Sequence, residues 1–308
     1  MACCAYFEPS MLDRQPLNRF VPIIAVAGLL LILALAFIFP GSTGAPPYVQ
    51  RVALQEAGEG SDLTASIRGE AGTPLVVIDA GHGGTDPGAV AADGVQEKDV
   101  VLGLAEALRD RLLAQGGVRV AMTRDDDRFI QLPDRPAMAR AMQADLFISI
   151  HADSGGDEQN AAGASIYTLS SQASGRQAER FAARENSAGV VNGIPLNTGN
   201  MTVDSILFEM SQRRALAEAA EFARLVVRES EGQLRFREPP RRSAALVVLT
   251  APDVPSVLFE AGFLTNPQEA ARLSSEAGRE QFARVTAAAV RSFFSNQERR
   301  SGAVAPMQ

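Results

Sequence analysis

From Leu75 onward, short apolar runs alternate with longer stretches whose apolar residues recur every three or four positions. Runs at 75–79, 118–123, 145–150, 165–169, 245–249 and 256–259 predict strands. Residues 98–115 put Val101, Leu104, Leu108 and Leu112 on one helical face, and Gly116-Gly117 ends that helix. Further helices are expected at 134–143, at about 173–186, at 211–229 with Leu216, Ala219, Ala220, Ala223 and Val227 inward, and at 281–294 with Phe282, Val285, Ala289 and Phe293 inward. Strands alternating with helices predict an α/β fold with a largely parallel sheet. Residues 186–211 carry a weak pattern and read as a surface loop, and residues 297–308 read as a disordered tail.

The pattern changes before residue 73. Residues 21–40 hold no charged side chain, and a stretch of this length spans a bilayer core of about 30 Å. Arg14 and Arg19 precede it, which keeps residues 1–20 cytoplasmic and sends the rest outward. The run exceeds the roughly 7–15 apolar residues of a secretory signal, and Pro46 follows the small-residue stretch Thr43-Gly-Ala45. A retained signal anchor is therefore favoured over a cleaved signal peptide. Residues 41–72 read as a linker, to which Val52, Leu54, Leu63 and Ile67 add at most one edge strand.

The net charge of -7 and the lack of a basic stripe exclude nucleic acid as a partner. Both cysteines, Cys3 and Cys4, precede the apolar segment, so the exported part holds no disulfide and relies on its core. The acidic run Asp125-Asp126-Asp127 reads as a solvated turn.

The chain has two histidines, and each follows an apolar run: His82 in Val-Ile-Asp-Ala-Gly-His-Gly-Gly and His151 in Ile-Ser-Ile-His-Ala-Asp. Carboxyl ends of strands are where α/β proteins display reactive side chains. Glu97 opens the helical pattern after His82, and two imidazoles with one carboxylate form the open ligand set that catalytic zinc uses. A single such histidine is more often structural, and Glu97 alone also suits a helix first turn. Glu260 ends the run 257–259, where an unpaired buried carboxylate would be costly. Asp86 and Asp153 sit beside the histidine motifs as acceptors that orient an imidazole or as loop caps. Arg124 and Arg135 are substrate contacts or structural ion-pair partners.

Five motifs in order carry a resemblance over residues 75–294: Asp79-Ala-Gly-His-Gly-Gly, Glu97-Lys-Asp, Met122-Thr-Arg-Asp, Ala144-Asp-Leu-Phe-Ile-Ser-Ile-His-Ala-Asp, and Pro252-Asp-Val-Pro-Ser-Val-Leu-Phe-Glu-Ala-Gly-Phe. The chain resembles the zinc-dependent N-acetylmuramoyl-L-alanine amidases of bacteria, the cell-separation amidases and sporulation lysins. The resemblance implies one catalytic domain at 73–296, with a mixed, largely parallel sheet of about six strands flanked by helices. It implies Zn2+ on His82, Glu97 and His151, with Glu260 as the catalytic glutamate. The substrate implied is peptidoglycan, cut between N-acetylmuramic acid and L-alanine in the periplasm, by an enzyme secreted or held at the inner membrane by residues 21–40. Some relatives cover the zinc with a long helical insertion until a protein activator binds; residues 187–210 are too short for that full element. Ala261 departs from the threonine that many relatives carry. The alternatives are a zinc peptidase cutting within the stem peptide and a catalytically silent peptidoglycan-binding regulator.

Overall fold

The computed structural model describes residues 49–53, 64–156, 158, 160–187 and 205–303. In chain order the first elements are β1 (Val49–Ala53), β2 (Thr64–Arg68), β3 (Leu75–Ala80), α1 (Glu97–Gln115), β4 (Arg119–Met122), α2 (Asp134–Ala141) and β5 (Leu146–His151). There follow β6 (Ala164–Leu169), α3 (Arg176–Ser187), α4 (Ser205–Glu229), β7 (Phe236–Ala244), β8 (Ser256–Glu260), α5 (Pro267–Ser274) and α6 (Glu276–Ala303).

The strands form one eight-stranded sheet in the order β1-β2-β4-β3-β5-β8-β6-β7. The central block β4-β3-β5-β8 is parallel, as is β6 with β7, whereas β1·β2, β2·β4 and β6·β8 are antiparallel. A parallel block needs cover on both faces, and β3 and β5 are buried along their whole length. Alternation sorts their side chains. Val76 and Ile78 pack with Leu104 and Leu108 of α1, Phe222 of α4 and Phe282 and Phe293 of α6. Leu75 and Val77 face Met138 and Ala139 of α2 and Phe181 of α3. The mixed α/β architecture agrees with the expectation.

The sheet has eight strands rather than six, because two regions without a strand-like apolar pattern contribute. The stretch read as a linker supplies β1 and β2. The strand expected at 245–249 is a short 3-10 turn at Val247–Leu249, and β7 lies before it in Phe-Arg-Glu-Pro-Pro-Arg-Arg-Ser-Ala. That segment hides from a hydrophobicity reading because β7 is an edge strand, where proline and exposed charge are tolerated.

Two helices also differ from expectation. On α4 the inward face is Ala219, Phe222, Ala223 and Val226, with Leu216 36% exposed; Phe222, the largest side chain of the segment, sets the phase. The tail expected to be disordered from residue 297 continues α6 to Ala303, where Arg300 pairs with Glu221 of α4 at 2.7 Å. Residues 1–20, the apolar segment 21–40 and residues 188–204 of the expected surface loop lie outside the described residues. Among the described residues, no helix is long and apolar enough to cross a membrane.

Candidate metal centre

The strand ends meet at one point above the sheet. His151 is the last residue of β5 and Glu260 the last of β8, and the two are register partners. Beside them β3 ends, Gly81 N–H donates to Ile150 O at 3.1 Å, and His82 turns into the left-handed region at φ 57°. A Cβ at Gly81 would come within 2.5 Å of the His151 ring, and one at Gly88 within 2.6 Å of Glu97 Oε2, so both positions require glycine. Glu97 opens α1 and is 1% exposed.

His82 Nε2 and His151 Nδ1 are buried without a well-formed hydrogen bond. Glu97 Oε1 lies 3.2 Å from the first and 3.3 Å from the second. Glu185, on α3, brings Oε2 to 3.1 Å from His151 Nδ1 and 3.8 Å from His82 Nε2. The donor atoms of His82, His151 and Glu185 lie within 4.8 Å of one another. Buried imidazoles facing carboxylates, with nitrogens left over, fit a divalent cation such as zinc.

Electrostatics agree with that fit. Burial opposes a charged imidazole, yet Glu97 and Asp86 push His82 up to about 10 in the metal-free chain. Burial likewise opposes charge on His151, and Glu185 and Glu97 carry it well above the usual range. Glu97 sits well below the usual carboxylate range, because His82 and His151 outweigh its burial. The site is built to surround positive charge.

A pH dependence follows from His82. Its folded value of about 10 exceeds the 6.5 of a free imidazole, so the folded state holds the extra proton between those limits. That contribution to stability is complete below pH 6.5 and is lost as pH rises through about 10. The chelator-stripped chain is expected to melt at falling temperature across this interval, with a flatter profile in His82→Asn. Calorimetry at stepped pH checks it, and an equal slope in both proteins would contradict it.

Buried polar groups hold the histidine loop from below. Asp79 accepts from Thr123 Oγ1 at 2.6 Å, Arg135 Nη1 at 2.7 Å and Ser149 Oγ at 2.7 Å; burial opposes its charge, but Arg135 and these hydrogen bonds together lower its pKa. Arg135 also donates to the carbonyls of Ala80 and His82, and Arg124 to those of Ala80, Gly81 and Lys98. Both arginines thus grip the backbone that presents His82. Asp86 Oδ2 is 3.0 Å from His82 Nδ1, the contact that orients an imidazole.

Asp127 is not merely a solvated turn residue. It accepts from Gly84 N–H and from Lys98 Nζ, and Lys98 also donates to Gly84 O, so the acidic run pins the glycine loop to α1. Asp153 stands apart from the imidazoles. Its N–H donates to Glu260 Oε2 at 3.0 Å and its carboxylate pairs with Arg184. Burial and Glu185 push Asp153 up to about 7, against the pull of Arg184.

Glu260 is 1% exposed, and its Oε1 has no hydrogen-bond partner among the described residues. Burial, reinforced by Asp153, raises its pKa well above the usual carboxylate range. The Ala261 N–H donates to His151 O, and its side chain packs into the core. The structure thus gathers His82, Glu97, His151, Asp86 and Glu260 around one centre, with Asp153 beside Glu260 and Arg124 and Arg135 beneath.

Glu185 received no role from the sequence, although a signal was present. The buried residues of α3 are Ala178, Phe181, Ala182 and Glu185, so a glutamate stands where the apolar stripe of the helix continues.

Comparison with known proteins extends the geometry. A family model for N-acetylmuramoyl-L-alanine amidases matches residues 76–292. Similar curated proteins include the N-acetylmuramoyl-L-alanine amidase AmiC of Neisseria meningitidis serogroup B, 39% identical over 74% of this chain and 55% of that protein. The chain thus spans about half the length of that relative. AmiA of Escherichia coli K12 is 38% identical over 72% of this chain and 77% of AmiA. Among solved structures, the catalytic domain of CwlV, an N-acetylmuramoyl-L-alanine amidase of Bacillus (Paenibacillus) polymyxa var. colistinus, aligns with a TM-score of 0.52 and 25% identity over 72% of this chain and 99% of that domain. Ordered motifs, fold and relatives agree, and the chain belongs to the N-acetylmuramoyl-L-alanine amidase family.

Proposed function

We propose that this protein hydrolyses the amide joining the lactyl carbonyl of N-acetylmuramic acid to the L-alanine nitrogen of peptidoglycan, with zinc held by His82, Glu97 and His151. The observation that carries this reading is the unpartnered Oε1 of buried Glu260, one strand away from the donor cluster. Zinc there would polarise the scissile carbonyl and lower the pKa of a water towards ~7. Glu260 Oε1 takes a proton from the attacking water as the oxygen–carbon bond forms. It then delivers that proton to the nitrogen as the carbon–nitrogen bond breaks, since an amine leaves poorly without one. The Asp153 N–H holds the other oxygen of Glu260 in place.

Glu185 is a fourth donor, and an open catalytic site keeps that position for water. The Glu185 carboxylate would therefore turn out of the donor cluster before turnover, with α3 kept against the strand ends. A protein activator that turns Glu185 away would supply the switch. Residues 21–40 would keep the enzyme outside the cytoplasm, where its substrate lies, and a periplasm-only reporter fused after residue 300 tests that orientation.

The test of the reaction is mass spectrometry of digested peptidoglycan. Released peptides beginning with L-alanine, with intact lactyl groups left on the glycan, support it; cleavage inside the peptide rejects it. Glu185→Ala is expected to keep its zinc and to raise turnover on the same substrate by ~10-fold or more, by removing the competing ligand. Loss of zinc in that variant would make Glu185 a resident ligand.

A further inference from the structure

We propose that the cavity beside Glu260 is an anionic subsite in which Arg242 receives a free carboxylate of the substrate peptide, on the leaving-amine side of the scissile bond. The proposal rests on the amidase reading and deepens it. The cavity measures about 210 Å³, and its lining includes Tyr167, Phe263, Glu260, four arginines, Arg180, Arg184, Arg237 and Arg242, and the carboxylates Asp153 and Glu158.

The sheet fixes where Arg242 stands. Ser165 of β6 is the register partner of Glu260, and Tyr167, two residues along, is the partner of Arg242 on β7. Alternation puts Glu260, Ser165, Tyr167 and Arg242 on one face. Two strand spacings across and two residues along separate the Cα atoms of Glu260 and Arg242 by roughly 12 Å. A few extended residues, at about 3.5 Å each, cover that distance.

Charge then singles out Arg242. Arg184 is paired with Asp153, and Arg237 with Glu158 at 2.8 Å. Arg180 is exposed at the rim. Arg242 is 8% exposed, and among the described residues its guanidinium donates to neutral oxygens, Gln177 Oε1 and the Glu238 carbonyl, both at 3.3 Å. Its Nε is buried without a partner. A buried guanidinium lacking a carboxylate is costly, and its planar fork suits a carboxylate above other acceptors.

The cavity therefore carries a carboxyl oxygen at Glu260 and a cationic nitrogen at Arg242 that have no hydrogen-bond partner among the described residues. In an N-acetylmuramoyl peptide the lactyl carboxyl is consumed by the amide and the sugar is neutral, so the fixed negative charge lies on the peptide. Arg242 thus sets the direction of binding: peptide towards β7, glycan away from it.

The test uses the zinc-loaded full chain and two N-acetylmuramoyl dipeptides, one ending in glutamic acid and one with its carboxylates converted to carboxamides. The acid is expected to be cleaved with a kcat/KM at least ~10-fold higher, the difference lying in KM, as a charge-assisted contact provides. In Arg242→Gln the ratio should collapse towards one, and Arg242→Lys should restore part of it. Equal KM for the two substrates in the wild type overturns the subsite, as does a fall in kcat on both in Arg242→Gln with the ratio kept. If neither substrate is cleaved by the wild type or by Glu185→Ala, the amidase reading fails, and calorimetry with L-alanyl-glutamate and its carboxamide decides the subsite separately: tighter binding of the acid supports it and equal affinity overturns it.

Discussion

Replacing His151 with alanine is expected to strip the chain of zinc and abolish turnover. The protein has two histidines, so no other imidazole can take the vacated place. His151 Nδ1 faces Glu97 at 3.3 Å and Glu185 at 3.1 Å. Its removal leaves the two carboxylates with only the His82 imidazole between them, too little positive charge to settle both when no metal is bound. Loss of a partner that merely orients a ligand costs ~10- to 100-fold in metal affinity, so loss of the ligand itself should exceed ~100-fold. His82→Ala should behave alike, with the added loss of the Asp86 contact at 3.0 Å. Metal analysis of the purified variants alongside peptidoglycan digestion checks this. Full zinc occupancy in either variant would remove that histidine from the ligand set.

The parts of this molecule legible in the sequence are those where burial and chemistry coincide. β3, β5 and β8 are apolar because both sheet faces are covered, and each run ends in a polar residue whose position marks the site: Asp79 before His82, then His151, then Glu260. The face of α1 reads correctly because Leu104, Leu108 and Leu112 are large and fully buried. In α4 Ala219 and Ala223 face inward as read, whereas Leu216 and Ala220 are exposed, since the large buried side chains Phe222, Leu225 and Val226 fix the phase.

Elements that depend on neighbours distant in sequence stay hidden. β7 is held by β6 rather than by its own hydrophobicity, and the end of α6 is tied by Arg300 and Asn296 to Glu221. Lys98, Asp127 and Gly84 join three separated segments. Glu185 reaches the histidines only because α3 packs over the strand ends, a placement that no local pattern encodes. Residue types therefore identify what the site is made of, and only the packing shows that a fourth donor closes it.

The substitution that separates proton transfer from metal binding is Glu260→Gln. The wild-type carboxyl is 1% exposed, and burial together with Asp153 raises its pKa well above the usual range, which favours the neutral form in the metal-free chain. Glutamine has the same shape and is also neutral, and its amide oxygen accepts the Asp153 N–H as Oε2 does now. Folding and zinc content should therefore stay near wild type. What is lost is basicity at the buried oxygen that has no other partner. Turnover is expected to fall by at least ~10²-fold, the usual contribution of a general acid–base group. Single-turnover digestion of peptidoglycan, with metal analysis and a melting curve on the same sample, reads all three quantities. Retained turnover would assign proton transfer to another group, with Asp153, whose N–H holds Glu260, a carboxylate in place. Loss of zinc together with activity would instead make Glu260 a ligand and reopen the role of Glu97.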